Sequence, residues 1–242
     1  MIQFNNVNKW YGDYHALVNL NAEVKKGEVV VVCGPSGSGK STRIRTVNRL
    51  EEIQQGEITF DGQPVQAPMG SQALNQLGSR IGFVFQSFNL FPHMSALDNV
   101  TLSLVRVKGL PKAQAREKAM ALLDRVGIGD AARRIGAYPH QFSGGQRQRI
   151  VIAMALACSP ALLVADEPTT ALDVTVQRQV LDLLQELVAE RGMALLLVSH
   201  DLGVIARRVV RTLVMYGGSI VESGPTGEVF AHHRHPYTRG LF

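Results

Sequence analysis

Eight consecutive residues near the start of the chain have the types and spacing needed to bind phosphate groups. They run from Gly34 to Ser41, read GPSGSGKS, and fit the P-loop pattern G-x-x-x-x-G-K-[ST]. Glycines let backbone N–H groups turn inward around phosphate oxygens, and the N-terminus of a following helix adds partial positive charge. Lys40 is expected to reach the β- and γ-phosphates of a nucleotide, and the Ser41 hydroxyl is expected to ligate Mg²⁺.

An acidic pair at the end of an apolar run supplies the other half of a nucleotide site. Residues 162–167 read LLVADE, so Asp166 and Glu167 follow a predicted buried strand. Asp166 is expected to hold the Mg²⁺ shell, and Glu167 to act as general base or to orient the attacking water. Together with the P-loop, this pair favours hydrolysis over phosphate transfer to an acceptor.

A second glycine-containing loop, FSGGQ at Phe142–Gln146, precedes an apolar helix predicted from Ile150 to Ala157. It has the features of another anion-binding helix N-terminus, in which Ser143 donates and two glycines permit close backbone approach. Since the P-loop already binds one phosphate chain, this loop is expected to serve a different ATP, held by a partner molecule. A plain helix cap is the alternative interpretation.

Apolar runs that end in polar or glycine-rich segments predict the sheet that positions these motifs. The β-branched run Val29–Cys33 is typical of a strand buried on both faces, as in a parallel sheet, and a helix from Thr42 to Leu50 follows it. The alternation predicts an α/β fold whose ligand lies beyond the carboxyl ends of the strands, with a helical insertion near residues 90–150. Further strands are predicted at 57–60, 81–85, 162–165 and 194–198.

Composition narrows the class of protein. The chain has 242 residues, 45% of them hydrophobic, and a net charge of +5, which suits one large globular domain and excludes a disordered chain. The longest apolar stretch, Ile150–Ala165, is interrupted by Ser159 and Pro160 and is shorter than the roughly 20 residues of a spanning helix. Neither a membrane span nor a signal peptide is expected, and two cysteines without metal-type spacing indicate a reducing compartment.

Taken in order, these motifs resemble an ABC transporter nucleotide-binding subunit over essentially the whole chain. The P-loop, SGGQ, Asp166-Glu167, Ala171-Leu172-Asp173 and Ser199-His200-Asp201 occur in the order of that family. The resemblance implies an α/β P-loop NTPase fold of the ABC type, with a mainly parallel core sheet, an antiparallel β subdomain and an inserted helical subdomain. It implies one domain over 1–242, with a RecA-like core at about 1–88 and 158–242 and a helical signature subdomain at about 89–157.

The resemblance also implies roles for individual residues. Tyr11 matches the aromatic residue that stacks on adenine, Gln86 the glutamine that senses Mg²⁺ and water, and His200 the histidine that contacts the γ-phosphate. The implied catalytic residues are Glu167, His200, Lys40 and Gln86, and the implied Mg²⁺ ligands are Ser41, Gln86 and Asp166. The implied ATP-binding residues are Tyr11, Gly34, Pro35, Ser36, Gly37, Ser38, Gly39, Lys40, Ser41 and Thr42, with Ser143, Gly144, Gly145, Gln146 and Asp173 from the partner chain.

The implied partners follow from the same resemblance. Two such chains, identical or closely related, are expected to form a head-to-tail dimer that closes over two ATP molecules. A separate membrane permease is expected at the groove beside Gln86, with a substrate-binding protein as an indirect partner and the cytoplasmic face of the cell membrane as the location. No nucleic acid is expected, although an ABC ATPase that acts on DNA or the ribosome is one rival class and a small-molecule P-loop kinase is another.

The two halves of the chain resemble different importer branches. Residues 1 to about 125 resemble polar amino-acid importers, with strings such as KWYGDYHAL and RTVNRLEEIQQGEI. Residues from about 138 resemble peptide and nickel importers, with YPHQFSGGQRQRIVIAMALA and the tail RHPYTRGLF. Since the first half carries the segment that receives the permease, amino-acid import is predicted, with peptide or nickel import as the alternative.

Arg43 departs from the family pattern, in which an apolar residue usually occupies this position. Arg43, Val47 and Leu50 follow i, i+4, i+7 spacing on the predicted helix, which places Arg43 on a face that can point into the core. Burial of an unpaired guanidinium is destabilising, and the alternative is that the side chain reaches the surface or a phosphate.

Overall fold

The computed structural model describes residues 1–128, 134, 136–170, 172–199 and 209–241, which form two compact units. Unit 1 comprises Met1–Met69 and Ala194–Phe242, and unit 2 comprises Gly70–Met193. The strands are β1 (Ile2–Tyr11), β2 (Tyr14–Val24), β3 (Val29–Cys33), β4 (Gln55–Phe60), β5 (Gln63–Pro64), β6 (Ile81–Val84), β7 (Leu162–Asp166), β8 (Ala194–Val198), β9 (Arg211–Tyr216) and β10 (Ser219–Pro225). The helices are α1 (Lys40–Val47), α2 (Ser71–Arg80), α3 (Ala96–Arg106), α4 (Lys112–Arg125), α5 (Gly144–Leu156), α6 (Val174–Arg191), α7 (Thr226–Ala231) and α8 (Pro236–Leu241).

Unit 1 contains an antiparallel sheet with the strand order β2-β1-β4-β5. Apolar and polar residues alternate along β1, so that Ile2 and Phe4 are buried on one face of the sheet while Gln3 and Asn5 are exposed on the other. Ile2 pairs with Val24 of β2 on one side and with Phe60 of β4 on the other. This sheet is the antiparallel β subdomain that the sequence predicts.

Strand β3 pairs in parallel with β8 and β9 in unit 1, and β10 is antiparallel to β9. Val30, Val31 and Val32 are fully buried, as expected for a β-branched run with strands on both sides. Cys33 ends the strand, and burial raises the pKa of its thiol to about 12. The buried strand therefore gives the following loop a rigid starting point.

In unit 2, β6 and β7 form a parallel pair in which Val84 lies opposite Ala165. Asp166 consequently ends one of two adjacent strands, and Gln86 lies two residues beyond the end of the other. Helix α5 packs against α3, α4 and α6, and α3 packs against α4. Among the described residues, no helix has both the length and the apolar character needed to cross a membrane. The lobe boundaries expected at about residues 89 and 157 stay a prediction.

Two helix boundaries differ from those predicted. Helix α1 ends at Val47, so Leu50 lies beyond it and is 58% exposed. Helix α5 begins at Gly144 instead of Ile150, since Ser143 and Gln146 cap each other across the first turn. The capping box compensates for the low helix propensity of two glycines, which is why the apolar pattern alone predicts too late a start.

Arg43 is fully buried in unit 1. Its guanidinium carbon lies 4.8 Å from the centroid of the Phe4 ring. Among the residues that the structure describes, none makes a hydrogen bond to its three guanidinium nitrogens. Burial, together with the charge of Arg211, lowers the pKa of Arg43 well below its usual value, to about 9. The interpretation that Arg43 points into the core is therefore confirmed.

We predict that Arg43→Leu stabilises the protein, because it replaces an unpaired buried cation with a shorter apolar side chain of similar volume. The expected gain is roughly 2–4 kcal/mol in the free energy of unfolding. That gain corresponds to a rise of roughly 5–15 °C in melting temperature. Calorimetry of the parent and the variant at pH 7 measures it.

The control is Arg45→Leu, which removes an exposed arginine from the same helix. The pKa of Arg43 is about 9 in the folded chain and keeps its higher, ordinary value in the unfolded chain. The free-energy cost of burying the Arg43 charge is therefore complete below pH 9 and fades above it. The difference in melting temperature between Arg43→Leu and the parent is thus expected to decrease as the pH rises above 9. An unchanged or lower melting temperature for Arg43→Leu at pH 7 contradicts the account.

Candidate nucleotide-binding site

The P-loop of unit 1 is shaped by Lys40, the first residue of α1. Its ammonium donates hydrogen bonds to the carbonyl oxygens of Gly34, at 2.9 Å, and Pro35, at 2.7 Å. The backbone N–H of Ser38 donates to the Pro35 carbonyl at 3.2 Å and closes the turn. Because Lys40 is only 6% exposed, its charge is directed into the loop. This geometry suits a site for an anion.

Two further observations fit a phosphate chain in this loop. A side chain at Gly34 would overlap the carbonyl oxygen of Met215, so only glycine allows the loop to leave β3 in this conformation. The buried hydroxyl of Ser38 has no hydrogen-bond partner among the described residues, and a phosphate oxygen would give it one. Ser36 and Gly37 are exposed at the tip, while Gly39, Ser41 and Thr42 are half-buried.

Tyr11 lies at the end of β1, and 43% of its surface is exposed. The Lys9 ammonium lies 4.7 Å from the centroid of the Tyr11 ring and forms an ion pair with Glu51 at 3.5 Å. Partial burial raises the pKa of the Tyr11 phenol, so the ring stays neutral. Trp10, in contrast, stacks on His15 with ring centroids 4.1 Å apart. Tyr11 is consequently the better candidate for stacking on a base.

The sequence analysis missed Tyr14, which contacts the P-loop directly. Its hydroxyl donates to the carbonyl oxygen of Gly37 at 3.2 Å. Tyr14 begins β2, so this bond ties the antiparallel sheet to the tip of the loop. Nothing in the spacing between Tyr14 and Gly37 signals the contact, because it depends on how the sheet packs beside the loop.

The acidic motif lies in unit 2, where Asp166 ends β7 and is 1% exposed. Glu167 follows with a φ of 47°, a left-handed conformation that is uncommon for a residue other than glycine. One of its carboxylate oxygens, Oε2, accepts a hydrogen bond from the Thr170 hydroxyl at 2.9 Å. The Gln86 amide donates to the same oxygen at 3.5 Å. The structure thus brings the side chains of Gln86 and Glu167 together.

The loop at Ser143 forms a helix cap in this chain. The Ser143 hydroxyl accepts a hydrogen bond from the N–H of Gln146 at 3.3 Å, and the Gln146 side chain accepts one from the N–H of Ser143 at 3.2 Å. Gly145 allows close packing of Val176 against α5, because a Cβ there would lie 2.5 Å from a Val176 methyl carbon. The capping interpretation is therefore correct for this chain, and contact with a partner's ATP stays a prediction.

Asp173 also caps a helix, since its carboxylate accepts a hydrogen bond from the N–H of Val176 at 3.0 Å. The Asp173 side chain is exposed at the start of α6. Val176, in the first turn of that helix, packs against Gly145. Ala171 and His200 lie outside the described residues. The predicted contact of His200 with the γ-phosphate accordingly stays a prediction.

Comparison with known proteins identifies the family. The sequence profile described as ABC transporter matches residues 17–170. The glutamate/aspartate import ATP-binding protein GltL of Escherichia coli (strain K12) is 50% identical over 230 residues, which cover 95% of this chain and 93% of that protein. The chain belongs to the ABC transporter family. Its predicted role as an ATPase subunit of this family is confirmed.

Two further matches bear on the branch and on the fold. A putative peptide import ATP-binding protein of Brucella melitensis is 48% identical over 238 residues, covering 93% of this chain and 70% of that protein. A dimeric ATP-binding cassette in a post-hydrolysis state, bound to ADP and Pi, has a TM-score of 0.83 and 34% identity, covering 93% of this chain and 99% of that one. The predicted α/β P-loop ATPase fold is confirmed.

We predict that Tyr11→Ala weakens the binding of a fluorescent ATP analogue roughly tenfold, because it removes one aromatic face from the adenine. Trp10→Ala removes the stack on His15 and is expected to lower the melting temperature while the affinity changes by less than about twofold. Tyr11→Trp, which keeps an aromatic face, serves as the matched control. A larger loss of affinity in Trp10→Ala than in Tyr11→Ala contradicts this assignment.

Proposed function

We propose that the chain is the ATP-binding and ATP-hydrolysing subunit of an ABC importer for polar amino acids. The supporting observation is the 50% identity with GltL, which extends over 93% of that glutamate/aspartate import protein. The match to the peptide import protein covers only 70% of that relative. Peptide or nickel import is the second candidate, favoured by the strings in the second half of the chain.

The residues of unit 1 bind the nucleotide. The backbone N–H groups of Ser36–Thr42 surround the phosphates, and the Lys40 ammonium neutralises the charge of the β- and γ-phosphates. The Ser38 hydroxyl gains the partner that it lacks among the described residues. The Tyr11 ring stacks on the adenine, and Tyr14 holds the carbonyl of Gly37 away from the phosphates.

The hydroxyl of Ser41, the carboxylate of Asp166 and the amide oxygen of Gln86 are hard oxygen donors of the kind that Mg²⁺ prefers. When bound, Mg²⁺ withdraws charge from the phosphate oxygens. Glu167 orients a water molecule and accepts its proton as the water oxygen bonds to the γ-phosphorus and the bond to ADP breaks. His200 donates a hydrogen bond to the γ-phosphate.

Completion of the site is assigned to a second chain, identical or closely related. Its Ser143–Gln146 loop and Asp173 cover the γ-phosphate from the opposite side. The exposure of Asp173 and the half-buried position of Gly144 and Gly145 leave both loops at the surface, as this arrangement requires. The dimer lies at the cytoplasmic face of the cell membrane through a separate permease, which receives substrate from a binding protein.

A groove in unit 2 is the surface that we assign to the permease. It encloses about 860 Å³ and is lined by residues of α3, α4 and the segment after β6. Among the described residues, apolar Met94 and Leu102 lie in it together with three cationic side chains and the single carboxylate of Asp98, so its charged lining is positive on balance; the cationic residues are Arg106, Lys112 and Arg116. Such a lining suits a permease helix with one apolar face and acidic residues at its border.

The test is ATPase activity of the chain co-expressed in membranes with an amino-acid-type permease and, separately, with a peptide-type permease. We expect stimulation by the amino-acid permease alone, with Glu167→Gln as the inactive background. Stimulation by the peptide permease alone contradicts the amino-acid assignment and supports the second candidate.

One further arm of the same experiment tests the groove. Lys112→Glu reverses a charge in the groove at the first residue of α4, where a carboxylate favours the helix and keeps it folded. We expect it to lower permease stimulation roughly fivefold or more. Lys118→Glu, on the same helix in a different groove with Arg125 and Arg191, is the matched control. Equal effects of the two variants contradict the assignment of the groove.

A further inference from the structure

The hydroxyl of Thr170 is held against the carboxylate that the proposed function makes catalytic. Thr170 Oγ1 lies 2.9 Å from Glu167 Oε2, and the hydroxyl donates this hydrogen bond. The torsion that rotates a glutamate carboxylate is broad, so a carboxylate needs a specific partner to keep one orientation. The Gln86 amide contacts the same oxygen at a longer 3.5 Å, which makes Thr170 the closer of these two donors.

The backbone at Glu167 makes this contact possible. With a φ of 47°, Glu167 turns the chain sharply after β7, and the N–H of Thr170 then donates to the Glu167 carbonyl at 3.3 Å. The turn brings the side chains of residues three apart in the chain onto the same side. The hydroxyl at position 170 is therefore placed by the same turn that presents the carboxylate.

The loop does not depend on the Thr170 hydroxyl for its shape. The side-chain amide of Gln177 donates to the carbonyl oxygens of Thr169 and Leu172, each at 3.1 Å. The N–H of Leu172 also donates to the Thr169 carbonyl at 3.1 Å. Because these bonds hold the backbone on both sides of position 170, loss of the hydroxyl removes the bond to Glu167 and leaves the loop in place.

We propose that Thr170 is a positioning residue that fixes the orientation of the Glu167 carboxylate toward the attacking water. The inference rests on the proposed function, in which Glu167 accepts the proton of that water. One oxygen of the carboxylate is held by the Thr170 hydroxyl, and the orientation of the other oxygen toward the water follows from it. Thr170 acts through Glu167 and is not itself assigned a contact with ATP.

The first experiment measures steady-state ATP hydrolysis by the full chain with its permease. We expect Thr170→Val to lower kcat about 5- to 20-fold while KM for ATP stays within about twofold, since only the orientation of the base changes. Thr170→Ser keeps the hydroxyl and is expected to restore at least about half of the parent kcat. Thr175→Val, which removes an exposed hydroxyl from the first turn of α6, is the matched control and keeps the parent rate.

The second experiment separates failure of this inference from failure of the proposed function. Single-turnover hydrolysis of radiolabelled ATP is compared in Glu167→Ala and in Glu167→Ala with Thr170→Val. We expect Glu167→Ala to be severely impaired and the second substitution to add less than about a twofold effect, because the group that it positions is already gone.

A parent rate for Glu167→Ala overturns the catalytic role of Glu167 itself. If Glu167→Ala is impaired, the catalytic role of Glu167 stands, and any one of three results then overturns only the positioning role of Thr170. These results are a parent kcat for Thr170→Val, a Thr170→Ser variant as slow as Thr170→Val, and an equally large further loss in the double variant. A rise in KM without a fall in kcat overturns it as well.

Discussion

The nucleotide-binding half of this protein depends on a single buried charge. The Lys40 ammonium is 6% exposed and is held by the carbonyls of Gly34 and Pro35, which are the first residues of the loop. A buried ammonium is tolerated only where carbonyls or anions surround it, so the two carbonyl contacts hold the loop wrapped around the Lys40 ammonium. The fully buried strand β3 and the first turn of α1 hold the two ends of that loop.

Helix α1 also contains a buried charge that destabilises the fold. Arg43 lies one turn after Lys40 and buries a second cation, whose guanidinium carbon lies 4.8 Å from the centroid of the Phe4 ring. The Lys40 ammonium faces the carbonyls of the P-loop, whereas Arg43 faces the core. Helix α1 thus combines one buried charge that the proposed function assigns to phosphate binding with one that lowers the stability of the fold.

Local sequence patterns predicted the parts of the structure that depend on neighbouring residues. The run at 29–33 specified a strand buried on both faces, and the P-loop spacing specified the turn from β3 into α1. The start of α5 was predicted too late, because its first turn is stabilised by the Ser143–Gln146 capping box and by no apolar periodicity. Leu50 was assigned to the α1 face although the helix ends before it.

Contacts between distant segments, and contacts created by unusual backbone angles, were beyond sequence reasoning. The bond from Tyr14 to Gly37 joins residues of two different elements, and no residue pattern marks it. The bond from Thr170 to Glu167 depends on the left-handed backbone of Glu167, which a sequence does not reveal for a residue other than glycine. The roles implied for Ser143 and Asp173 require a second chain, and in one chain both side chains cap helices.

The proposed function requires that ATP be bound between the P-loop of one chain and the Ser143 loop of another. The most direct measurement is the molar mass of the Glu167→Gln variant in solution by light scattering, with ATP, with ADP and without nucleotide. The account predicts twice the 26.4 kDa of one chain with ATP and a single chain in the other two samples. A single chain under all three conditions, or a dimer that does not require ATP, contradicts it.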